Sequence, residues 1–158
     1  MSDSPAELLP ALSGAAAAYA SRLANVDAAA IAHQPAPGKW SAGEVIAHLA
    51  ETEIALSVRL RMILTADHPP LAAFDQDAWA AVGHYASRPV ESWLALFGAL
   101  REANTALLAR LTPAQWARSG VHSERGPLTL LEIATFMVWH DERHLAQVER
   151  ALEQAAKP

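Results

Sequence analysis

Short Ser/Thr-x-x-Glu/Gln signals recur along this chain, each heading a stretch that continues in helical rhythm, and this punctuation constrains the fold more than any other feature. Ser4-Pro5-Ala6-Glu7, Ser41-Ala42-Gly43-Glu44 and Thr129-Leu130-Leu131-Glu132 each read as a capping box. In such a box a hydroxyl accepts from an orphan backbone N–H at the helix start and the carboxylate reaches back to the cap residue. Thr112-Pro113-Ala114-Gln115 repeats the pattern ahead of a short helical turn. Prolines at 35 and 37, 69 and 70, and 89, with a loop from Gly120 to Pro127, supply the stops. These signals predict four main helices over 5–32, 41–66, 90–111 and 129–155. A long connection over 67–89 would carry a short helical piece at Asp75 to Val82 and drape over one end of the bundle. The balance of 36 Ala and 20 Leu against 8 Val and 5 Ile favours helix over sheet. The expectation is an all-α four-helix bundle, without a sheet, forming a single domain over residues 1–158.

Several function classes drop out on composition. With no cysteine there is no disulfide framework, thiolate metal site or cysteine nucleophile, so any metal or catalytic group must use nitrogen or oxygen. A net charge of -5 argues against nucleic-acid binding through a broad basic surface. The longest apolar candidate for a membrane span, Leu128 to Trp139, is interrupted by Thr129, Glu132 and Thr135. Asp3 and Glu7 stand where a secretory signal would need positive charge, so a cytoplasmic location is expected. The excess of Arg over Lys, with so much Ala, points to a bacterial source.

Each predicted helix carries an apolar stripe at three and four spacing. The second offers Val45, Leu49, Thr52, Leu56, Leu60 and Ile63, with His48 at the edge of that face. The fourth runs Ile133, Met137, His140, His144, Val148 and Ala151, so two histidines replace apolar residues in a core-facing stripe. His140 and His144 stand one turn apart on one face, where both rings can reach a single ion. Any one of the three could be a core histidine satisfied by a neighbouring carboxylate or carbonyl. Three together are harder to place without a common partner, because each unsatisfied buried polar group costs about 1–3 kcal/mol. A shared metal removes the difficulty. Three imidazoles make an open coordination sphere suited to zinc, nickel or ferrous iron, with room for water or a substrate atom. Glu44, Glu51 and Asp141 are the nearby candidates to hold the free ring nitrogens. His33, His68 and His122 read as solvated, and His84 as part of a segment from Asp75 to Tyr85 that is either a loop packed by Trp79 and Tyr85 or a flap that would close over the metal end and line a pocket.

The run Lys39-Trp40-Ser41-Ala42-Gly43-Glu44-Val45-Ile46-Ala47-His48-Leu49, with Glu51 and Glu53 after it, pairs with a second run, Trp139-His140-Asp141-Glu142-Arg143-His144-Leu145-Ala146-Gln147. Together they resemble the DinB/YfiT-like (DinB_2) superfamily of metal-dependent enzymes, over nearly the whole chain. The resemblance implies a four-helix bundle of unusual handedness, a homodimer in many members, and a metal triad on His48, His140 and His144. Similar proteins include thiol S-transferases that use bacillithiol, mycothiol or glutathione, and a mycothiol-dependent isomerase. The expected function is therefore that of a metal-dependent enzyme acting on a small molecule, thiol S-transferase-like, with a divalent metal and a low-molecular-weight thiol as cofactors. Metal-dependent hydrolysis, or a non-enzymatic stress-response or binding module, are the alternatives. No catalytic side chain beyond the triad is identified, and Arg59, Arg61, Arg101 and Arg143 are candidates for binding a thiol's carboxylates, although an arginine on a helical face is more often solvated or paired.

Overall fold

The computed structural model describes residues 4–157. Four long helices dominate: α1 (Pro5–Leu23), α3 (Ala42–Thr65), α5 (Val90–Leu108) and α7 (Leu130–Ala155). Short helices α2 (Ala28–Ala32), α4 (Gln76–Gly83) and α6 (Pro113–Trp116) fill the connections. Capping boxes start α3, α6 and α7 as their sequences require, with Ser41, Thr112 and Thr129 each accepting from the third helical N–H. At Ser4 the box does not form, because its hydroxyl donates to the Glu7 carboxylate at 2.7 Å instead of accepting from the backbone. The short connecting helix falls where predicted, capped by Asp75, whose carboxylate accepts from Asp77 and Ala78 N–H groups at 2.9 and 3.0 Å.

Two expectations need correction. The helix predicted over 5–32 is broken into α1 and α2 by Asn25, which adopts a left-handed φ of 63°. Asn tolerates that region better than most residues, and the turn it makes returns Ile31 to the core. The chain also contains a small sheet where none was expected. Strand β2 (Ser119–His122) pairs in parallel with β1 (Pro70–Leu71) and antiparallel with β3 (Gly126–Thr129), in the order β1-β2-β3. Strands this short carry too few alternations to betray themselves by period. The turn between β2 and β3 ends at Gly126, whose φ of 74° suits glycine. Gly120 is required for a different reason, since a Cβ there would lie 2.8 Å from the Leu71 side chain and 2.9 Å from the Pro69 carbonyl oxygen.

The apolar interior forms two clusters. One gathers Tyr19, Ile46, Leu49, Phe97 and Val148, and the other Leu12, Leu60, Ile63, Leu108 and Met137. Burying each such side chain stabilises the fold by about 1.5–3 kcal/mol. Between the clusters, at the middle of every long helix, lies a buried polar network. Arg101 of α5 donates to both carboxylate oxygens of Glu53 in α3, at 3.1 and 2.9 Å, and forks onto the carboxylate of Asp141 in α7. Asn104 donates to Glu53 and to the Ser57 hydroxyl, both at 2.7 Å, and Tyr19 of α1 donates to the Asp141 carbonyl at 2.6 Å. Arg101 also donates to the Leu12 carbonyl of α1 at 3.5 Å, so all four long helices meet at one cation. Among the described residues, no helix is long and apolar enough to cross a membrane.

Replacing Arg101 by Met should leave two buried carboxylates facing each other. Losing one partner of a buried ion network costs about 3–5 kcal/mol. Urea unfolding should register a loss of that order, and a change below about 1 kcal/mol would show that the network does not hold the bundle together.

Candidate metal centre

Helices α3 and α7 bring their histidines face to face. The Nε2 atom of His140 lies 3.3 Å from Nε2 of His48 and 3.1 Å from Nε2 of His144. One ring nitrogen from each of the three lies within 4.8 Å of the other two. The three imidazoles expected to converge do so. Trp40 covers one side, its ring 4.9 Å from that of His48, and Phe136 covers another, 5.3 Å from the ring of His140.

The protons do not suffice for this arrangement. His144 Nδ1 faces the Gln147 side-chain oxygen at 2.9 Å, so it carries the ring proton and donates, leaving the Nε2 lone pair aimed at the centre. His140 Nε2 holds one hydrogen at most, yet it faces two other ring nitrogens. His48 Nδ1 is buried without a hydrogen-bond partner. A cation at the centre would satisfy lone pairs that hydrogen bonds leave crowded. The spacing suits one as well: metal–nitrogen bonds of about 2.0–2.1 Å at tetrahedral angles separate the nitrogens by about 3.3–3.4 Å.

Charge points the same way. Burial, and then the neighbouring His144, pulls the pKa of His48 down to about 4. Burial depresses His140 further, with the positive charge of its neighbours adding to the effect. His144 is lowered chiefly by burial, partly offset by its bond to Gln147. The imidazoles therefore stay neutral at pH 7, the state in which they can ligate.

Several sequence expectations change here. The carboxylates expected behind the rings are engaged elsewhere. Glu44 closes the Ser41 capping box, Glu51 accepts from the Tyr85 hydroxyl at 3.0 Å, and Asp141 belongs to Arg101. Gln147 takes that role for His144 instead. It stands three residues on, on the same helical face, a position that helix geometry makes legible. His122 is buried, not solvated, whereas His33 and His68 are exposed as expected. The 75–85 segment closes only in part. Gln76 and Asp77 reach the cavity at the centre, while His84 is exposed and Tyr85 is buried against Trp40 and Trp93.

That cavity has a volume of about 800 Å³, with the three histidines among its lining residues. Thr52, Leu56 and Arg59 of α3, Phe136 and Arg143 of α7, and His122 and Arg125 of the β2–β3 hairpin form much of its wall. Of the arginines singled out for anion binding, Arg59 and Arg143 line it. Arg61 donates to Asn104 and the Ser57 carbonyl, and Arg101 is sealed in the ion network.

Comparison with known proteins agrees with this architecture. A relative in Oceanobacillus iheyensis, named "putative metal-dependent hydrolase", is 31% identical over 115 residues, covering 73% of this chain. The matched part spans just under two thirds of that relative's own length, 66%. The structure of YfiT from Bacillus subtilis, described as a probable metal-dependent hydrolase with an unusual four-helix bundle topology, superposes with a TM-score of 0.88 at 23% identity. That superposition covers 96% of this chain and 87% of YfiT. A mycothiol-dependent maleylpyruvate isomerase superposes with a TM-score of 0.74 at 15% identity, over 92% of this chain and 60% of its own. The bundle fold is thereby established, and because the family model of the DinB superfamily matches residues 11–148, the chain belongs to that superfamily.

Proposed function

We propose that His48, His140 and His144 bind one divalent ion, zinc, nickel or ferrous iron, and that the protein is a metal-dependent enzyme transferring a small-molecule thiol to an electrophile. The observation that carries this reading is the convergence of three neutral imidazole nitrogens, 3.1 and 3.3 Å apart, on the wall of a large cavity. A bound divalent ion would supply Lewis acidity, lowering the pKa of a thiol or a water at its open position. The chain's own residues would do the rest. Gln147 fixes the His144 ring, Trp40 and Phe136 exclude water from two sides, and the cavity has room for a thiol together with its electrophile.

The choice between thiol and water turns on a base. Hydrolysis needs a group to manage the protons of the attacking water and of the leaving group. Among the acidic residues lining the cavity, Glu132 is committed to the Thr129 cap, whose hydrogen bonds hold its carboxyl below the usual range. Asp77 is exposed in the first turn of α4, and Glu124 is exposed on the turn between β2 and β3. A thiol needs less help, since it loses its proton more readily than water does. The mycothiol-dependent neighbour supports this reading, while the names of the relatives favour hydrolysis as the second one.

Two experiments test the proposal. Zinc at 100 times its dissociation constant should stabilise the protein by about 2.7 kcal/mol at neutral pH, roughly 5–10 °C in Tm for a chain of this length. His144→Ala should lose that increment. The sign of the pH effect follows from the depressed histidine values. The folded rings are neutral where the unfolded chain, with histidine near 6.5, already binds protons. Stability of the metal-free protein should thus be full above pH 6.5 and decline as pH falls toward 4, the folded value of His48. A zinc increment absent at pH 7.5 would reduce the histidines to core groups.

The second experiment supplies the metal-loaded protein with a halogenated aromatic and, separately, bacillithiol, mycothiol, glutathione or coenzyme A. In the transfer the thiol gives its proton to solvent, its sulfur bonds the ring carbon, and halide departs with the bonding pair. Turnover should require one of these thiols and should fall at least 100-fold in His140→Ala. Turnover of esters or amides with water alone, and none with thiols, would favour hydrolysis.

A further inference from the structure

The cavity contains a second group of polar side chains that the three-imidazole centre does not use. His122 comes from β2, Arg125 from the turn that follows it, and Arg59 from α3. Their charges are close enough to act on one another. The pKa of Arg59 is lowered by burial and by Arg125, and that of His122 by burial and by both guanidiniums, with Glu124 opposing. Two guanidiniums this close repel each other unless water or an acceptor compensates them.

Among the described residues, neither Arg59 nor Arg125 forms an ion pair, in contrast to Arg101 with its two carboxylates and Arg22 with Glu149. Arg59 donates one hydrogen bond, to the Ala72 carbonyl at 2.6 Å, and lies over the Phe74 ring. Arg125, exposed, makes no hydrogen bond among the described residues and lies over Phe136, its guanidinium carbon 5.1 Å from the ring centre. His122 is 7% exposed, and its Nδ1 accepts from the Glu124 N–H at 3.2 Å. The neutral ring must then carry its proton on Nε2, which has no hydrogen-bond partner among the described residues. Two guanidiniums, that of Arg125 exposed, and one imidazole N–H therefore border the cavity with donors to spare, and among the described residues no carboxylate forms an ion pair with either arginine, although Glu124 stands nearby. Planar guanidinium forks of this kind match carboxylate and phosphate oxygens.

We propose that Arg59, His122 and Arg125 form an oxyanion-binding subsite that holds a carboxylate or phosphate group of the substrate. Phe136 links this subsite to the centre, for Arg125 stacks on the ring that also packs 5.3 Å from His140. An anionic group seated on the arginines would leave the reacting end of the same molecule beside the three imidazoles. That positioning role rests on the enzymatic reading above, whereas anion binding itself does not.

The test titrates succinate and inorganic phosphate separately into the metal-free, full-length protein. It follows the His122 ring resonances by NMR together with Tm. Saturable binding of at least one anion is expected, with succinamide, the neutral analogue, giving none. The anion that binds more tightly identifies the group. Arg59→Gln and Arg125→Gln should each weaken binding at least tenfold, and Arg110→Gln, in the exposed turn after α5, should not. Arg59→Gln also removes the bond to Ala72, so Arg125→Gln, which loses no hydrogen bond, is the cleaner variant if the former fails to fold. Absence of saturable binding, or equal binding by Arg125→Gln and wild type, would overturn the subsite. Zinc content measured on the same samples separates the two proposals. Zinc uptake without anion binding removes the subsite alone, and anion binding without zinc uptake removes the metal centre alone.

Discussion

Arg101 is buried to 3% exposure with carboxylates on two sides, and most of the molecule is arranged around that fact. A guanidinium removed from water loses several kcal/mol of hydration, which only well-placed acceptors return. Its planar fork demands Glu53 and Asp141 in specific directions, and those two residues lie on different helices. Apolar packing alone would let helices slide or rotate by small amounts at little cost, whereas a bidentate ion pair tolerates far less. The backbone of α1 joins the same assembly through the Leu12 carbonyl, and Tyr19 approaches it at Asp141.

The consequence for the candidate centre is geometric. Asp141 is the residue after His140, and Glu53 follows His48 by five positions. Whatever sets the register of α3 against α7 at the ion network also sets the distance between the histidines about one turn away. The network and the imidazole cluster therefore divide the labour. The first is charged, saturated with hydrogen bonds and closed to solvent. The second is neutral, short of protons and open to a cavity. Histidines held neutral by burial are suited to coordinate a cation, while Arg101 is too thoroughly paired to bind anything else.

A second division runs through the cavity itself. The imidazoles stand on two long helices, whose geometry is rigid over the few ångströms that coordination would require. The arginine and histidine of the hairpin stand on a short sheet, anchored to the connection before α4 by backbone bonds from Val121 to Pro69 and from Ser123 to Leu71. The imidazole cluster thus stands wholly on long helices, whereas the proposed anion subsite joins one residue of α3, Arg59, to two of the hairpin.

Much of the bundle was legible before any coordinates. Capping boxes at Ser41 and Thr129, stripes at three and four spacing, and the interruption of one stripe by His140 and His144 are local signals, and local hydrogen bonding and helical period read them directly. The break at Asn25 was harder to see, because a helix and a tight left-handed turn differ there by little in sequence. The β1–β2 pairing joins residues about fifty apart, which no local pattern encodes. The partners of the charged residues lay furthest from view. Arg101 was as plausible a surface anion-binder as Arg59, and Asp141 as plausible a support for imidazole as Gln147. Their roles depend on which side chains lie beside them across the bundle and on how little water reaches them, and these are properties of packing. The amino-acid sequence by itself determined that helices would form, where most would begin, and that histidines would occupy a buried face. Only the tertiary structure decided which charges neutralise one another and which are left to face a cavity, because electrostatic energy depends on three-dimensional distance and burial and not on position along the chain.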